Sequence, residues 1–65
     1  MVYNEKTKII RKIQAYKYSM KTNNDEFGHC ERIIKELESE NHHKVVKMLL
    51  NGEYKEAEEY VRSNY

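Results

Sequence analysis

Sixty-five residues, 38% of them apolar and 35% charged, make one small domain spanning 1–65 and no more. That size excludes most enzymes built from separate substrate and cofactor layers, and a lone core this small usually yields only about 3–5 kcal/mol, so marginal stability or self-association is expected. The net charge of +1 conceals a dipolar chain: residues 1–22 hold six basic residues against one acidic, and residues 23–65 hold six against ten.

One cysteine, Cys30, forms no intrachain disulfide and supplies at most one ligand to a zinc ion, which suits a reducing cytoplasm. No apolar run nears the roughly 18 residues that span a bilayer, and the first dozen residues lack the apolar stretch of a secretory signal. The expectation is a soluble, unprocessed, cytoplasmic protein without a membrane partner. An abundance of Lys, Asn, Tyr and Ile fits an AT-rich genome. Together with the short reading frame, it suggests an accessory or mobile-element gene, such as one carried by a phage.

With two glycines, no proline and no alternation of β-branched and polar residues, the chain reads as all-α. Between Asn4 and about Lys21, Ile9, Ile13, Tyr16 and Met20 recur at spacings of four, three and four, which places them on one side of a helix capped by Asn4. Thr22-Asn23-Asn24 ends it. A second helix is expected from Asn24 or Asp25, with Phe27, Cys30, Ile34 and Leu37 facing inward and Ile33 beside them. Gly28 inside that pattern costs about 1 kcal/mol relative to alanine, so either the helix starts late or another backbone comes close there.

A third helix over His42 to Leu50 carries Val45, Val46, Met48, Leu49 and Leu50, which cover roughly 200° of its circumference at about 100° per residue. Either this helix is central and covered on two sides, or the part around Val46 and Leu50 stays open for a subunit or partner. Asn51-Gly52 stops it. A fourth helix from Glu53 to about Ser63 presents Tyr54, Ala57 and Val61 on one side. Short loops favour antiparallel neighbours, so a small antiparallel bundle of three to four helices is expected.

On the first helix, Lys8, Arg11, Ala15 and Tyr18 form a second stripe opposite the apolar one. With Lys12 and Lys17 it is basic and aromatic together, which suits phosphates and an acidic partner alike. It equally suits a solvated face offsetting Glu53, Glu56, Glu58 and Glu59. The two readings separate on whether Lys8, Arg11 and Lys12 stay open or lie against those glutamates. A helix-turn-helix made from the later helices is disfavoured, because DNA phosphates would repel the glutamates of the fourth.

His29-Cys30 and His42-His43 hold ligand types that zinc accepts, but adjacent residues on a helix point about 100° apart, so neither pair easily serves one ion. Cys30 is expected in the core, with His42 and His43 facing solvent; no metal and no cofactor is expected. There is no Gly-rich phosphate loop, no G-x-S-x-G turn and no H-E-x-x-H, so no catalytic residue is assigned.

The segment Gly52-Glu53-Tyr54-Lys55-Glu56-Ala57-Glu58-Glu59-Tyr60 resembles the turn and second helix of a tetratricopeptide repeat over nine residues. The preceding helix departs from the pattern, offering Asn41, Lys44, Val45 and Met48 at its large-residue and glycine positions, and there is no second copy, so the segment reads as a convergent helical hairpin. The resemblance implies only that such hairpins commonly bind proteins. Elimination then leaves a non-catalytic protein-interaction module acting as regulator, inhibitor or adaptor, with Val46 and Leu50 as candidate protein-binding residues. Its partner is a different protein or, as a homodimer, a second copy. The alternative is a nucleic-acid-binding protein using Lys8, Arg11, Lys12, Lys17 and Tyr18.

Overall fold

A computed structural model describes residues 4–23 and 28–65, and over them the chain is helical, with no strand among the described residues. Helix α1 covers Glu5–Thr22, α2 His29–Ser39, α3 His43–Leu50 and α4 Tyr54–Asn64. The all-α expectation holds, and the described residues form a bundle of four helices.

Each boundary has a local cause. Asn4 caps α1 by accepting the Thr7 backbone N–H on its side-chain oxygen at 2.8 Å, which satisfies one of the donors a first turn leaves unpaired. Asn23 ends α1 in the left-handed region at φ 54°, its N–H donating to the Met20 carbonyl at 3.4 Å. Helix α2 begins later than the polar run suggests. Asn24, Asp25 and Phe27, the expected cap and inward aromatic, lie outside the described residues. Gly28 precedes α2 at φ +65°, a conformation that glycine adopts without strain. No described atom lies within 4 Å of a Cβ built there, so the late start, rather than a close backbone, explains this glycine.

Two tight turns link the remaining helices. Asn41 at φ 67° lets the His42 N–H return to the Leu37 carbonyl at 2.9 Å. Gly52 at φ +78° does the same between α3 and α4, where the Glu53 N–H reaches the Met48 carbonyl at 2.8 Å. Both close orphan carbonyls of the helix they follow.

Helix α1 packs on α2 and α4, and α3 closes the ring by packing on the same two. The Tyr16 and Tyr54 rings, 6.0 Å apart, set the second half of α1 beside the start of α4, as an antiparallel pair requires. The core is built from Ile9, Ile13 and Tyr16 of α1, Cys30, Ile33 and Leu37 of α2, Val45, Val46 and Leu49 of α3, and Ala57 and Val61 of α4. Burying each of the larger aliphatic side chains contributes roughly 1.5–3 kcal/mol.

Two inward assignments shift by one residue. Met20 is exposed and Ser19 is buried in its place, because a helical stripe continues from Tyr16 by three residues as readily as by four. On α2 the buried residue is Ile33, with Ile34 half-buried at the margin. No helix among the described residues is long and apolar enough to cross a membrane.

Candidate functional site

The turn before α3 places His42 where the start of α1, the end of α2 and the end of α4 converge. It was expected in solvent; it is instead 5% exposed. Its Nε2 lies 3.1 Å from the Glu5 carboxylate and its Nδ1 2.7 Å from the Tyr65 hydroxyl. A carboxylate only accepts, so Nε2 donates to Glu5, while Nδ1 is paired with the Tyr65 hydroxyl. The rings of His42 and Tyr65 meet edge to face at 5.2 Å, and Tyr60 stands edge to face with Tyr65 at 6.4 Å.

Burial, with the charge of Glu5 and the neighbouring Tyr60 phenol, holds the Tyr65 hydroxyl above the usual tyrosine range: desolvation contributes most, then Tyr60, then Glu5. That keeps the phenol protonated and able to donate. Glu40, which caps α2, lies 3.7 Å from Nε2 through the same oxygen that meets the Lys12 ammonium at 3.4 Å. Thus Lys12, Glu40, His42, Glu5 and Tyr65 tie all four helices at one end of the bundle. Asn4, Glu5, Lys6 and Tyr65 also line a hollow of about 390 Å³ beside it.

The candidate protein-binding pair is separated. Val46 is 6% exposed and belongs to the core, because α3 packs on both α2 and α4 and needs apolar residues on two sides, which is the central-helix reading of the arc. Leu50 is 64% exposed. It lies at the opposite end of the bundle from His42, where α1 also ends with exposed Met20.

Lys12 is half-buried and pairs with Glu40 at the end of α2. Lys8 and Arg11 are exposed, Lys17 is half-buried, and Tyr18 is 69% exposed. Lys35 pairs instead within its own helix with Glu31, at 3.4 Å, and Lys44 of α3 sits over the Tyr60 ring at 5.5 Å.

Cys30 is buried, as its place in the pattern requires, while His29 and His43 are exposed. Among the described residues no group of three or more His, Cys, Asp or Glu side chains is placed to hold a metal ion. A broad hollow of about 460 Å³ runs along the charged outer face of α2 from Gly28 to Ser39.

The His42 cluster carries no local sequence signature, since Glu5 is 37 residues away and Tyr65 is 23 away. A pair of helix-end polar residues flanking a bundle is the only hint that sequence offers. No protein-family model, no curated protein and no solved structure matches the chain.

Proposed function

We propose that this chain is a non-catalytic protein-interaction module, a small regulator, inhibitor or adaptor that binds a partner protein in the cytoplasm through the bundle end where α1 and α3 finish. The observation that supports this reading is Leu50, a large aliphatic side chain 64% exposed beside an otherwise buried α3 stripe. Covering such a side chain with a partner removes apolar surface from water.

The test uses the tagged protein as bait in nuclease-treated extract of its native cells, with Leu50→Glu as the comparison. A partner held by the wild type and lost from a Leu50→Glu protein of unchanged circular dichroism supports the reading. Equal capture by both overturns this docking end.

A second reading, a nucleic-acid-binding protein, is favoured by one observation. Lys8, Arg11 and Tyr18 share an outward face of α1, and all three are exposed. Cations neutralise phosphates and an exposed ring stacks on a base.

A further inference from the structure

We infer that the outward face of α1 is shaped for the major groove of B-form DNA, with lysines on both flanks of the helix directed at the two phosphate ridges. The inference rests on the nucleic-acid reading and narrows it to one groove of one duplex form.

Helix α1 is the longest of the four, with 18 residues, and its single acidic residue, Glu5, is turned toward His42 at 3.1 Å. At about 100° per residue, Arg11, Gln14 and Tyr18 fall within roughly 60° of one another and form the outer crest; all three are exposed. Lys8 lies about 80° to one side of Tyr18, and Lys21 and Lys17 lie about 60° and 100° to the other. Lys8 and Lys21 are exposed and Lys17 is half-buried. None of these three lysines makes an ion pair with a described residue.

Few of the α4 glutamates face α1. The side of α4 that meets α1 is marked by Tyr54 against Tyr16. From Tyr54, Glu59 and Glu56 fall about 140° and 160° away, whereas Arg62 falls about 80° away, so Glu58 is the one glutamate within α4 beside α1.

A crest of guanidinium, amide and phenol with ammonium groups on both flanks fits an anion that surrounds the helix. A flat acidic protein face would engage one strip only. The major groove of B-DNA is about 12 Å wide, with phosphates along both edges, and admits a helix about 10–12 Å across. There the Gln14 amide has a fitting partner in adenine. The A-form groove of RNA is too narrow for side chains to read. Lys8 and Lys21 are separated by about 20 Å along the axis, enough to reach several phosphates.

The test is fluorescence anisotropy with a labelled DNA duplex, an RNA duplex of the same sequence and the single DNA strand, between about 50 and 200 mM salt. Poly-glutamate serves as competitor. Duplex DNA should bind best, weakly at the higher salt, with a log–log slope of roughly −2.7 for three phosphate contacts. Lys8→Gln and Lys21→Gln should each reduce that slope by a little under one, while Lys47→Gln on α3 leaves it unchanged. Bound protein should protect guanine N7 from methylation by dimethyl sulfate.

Stronger binding to the single strand, lost in Tyr18→Ala, would overturn the groove assignment and keep the nucleic-acid reading; so would equal affinity for duplex RNA, or an unprotected N7. No binding to any nucleic acid at the lowest salt would overturn both. Displacement of DNA by poly-glutamate at matched charge would assign the face to an acidic protein instead.

Discussion

At His42 a single imidazole satisfies a carboxylate from α1 and a hydroxyl from α4 at once, and removing either partner has a separable effect. Tyr65→Phe removes the hydroxyl paired with the buried His42 ring and should cost about 1–2 kcal/mol. His42→Phe should cost a comparable amount by stranding Glu5 and Tyr65, both of which can still turn to water. If the two side chains act through one bond, the double variant loses less than the sum of the singles by about 0.5–1.5 kcal/mol. Urea unfolding of the four proteins measures that coupling, and strict additivity would show that the contact contributes nothing. The raised Tyr65 pKa gives a pH effect of definite sign. A group that holds its proton longer when folded contributes stability that is complete below its unfolded pKa, about 10, and is lost as pH rises through the folded value. Stability should therefore decline in the alkaline range, and Tyr65→Phe should make that decline shallower.

Helix ends decide much of the element-level behaviour. Asn4→Ala removes the bond to Thr7 and should destabilise the protein by about 1 kcal/mol. Gly28→Ala forces a side chain into the left-handed region at a cost of roughly 1–2 kcal/mol. Thermal melts followed by circular dichroism read both; an unchanged melting temperature for Gly28→Ala would mean that α2 begins elsewhere. The existence of all four helices was legible from apolar spacing, because amphipathic periodicity survives whatever the helices pack against. The exact inward residue was not. Ser19 and Met20 both continue the α1 stripe, and hydropathy favours Met20, yet packing buries Ser19. The breadth of the α3 arc was legible too, but not its use: Val46 is needed on a second side because α3 touches two neighbours. His42 was invisible to sequence, since its surroundings depend on contacts that only the closed bundle creates.

For the whole molecule, 65 residues imply a total stability of about 3–10 kcal/mol, so one core substitution consumes a large part of it. Leu49→Ala, at a fully buried position, should remove about 2–5 kcal/mol. Ile34→Ala, half-buried, should remove clearly less. Comparable losses for both would move the core toward Ile34. The same contrast separates α3 residues in assembly: Val46→Glu places a charge in the core and should unfold the chain, while Leu50→Glu should stay folded. Sedimentation of the wild type at micromolar concentration then tests self-association. A dimer converted to a folded monomer by Leu50→Glu would make the second copy the partner.

The hollow shared by Asn4, Glu5, Lys6 and Tyr65 brings the start of α1 beside the end of α4, and this frees the order in which the helices are connected. Contacts between α1 and α4 are the most distant in sequence, so in the natural order they form only after the intervening chain has closed a long loop. Linking Tyr65 to Asn4 with a short Gly/Ser segment and opening the chain between Asn51 and Gly52 would make α4 precede α1, turning their interface into a local hairpin while α3 and α4 become the distant pair. Such a circular permutant should reach the same four-helix ring, with the His42 knot closed beneath the new linker.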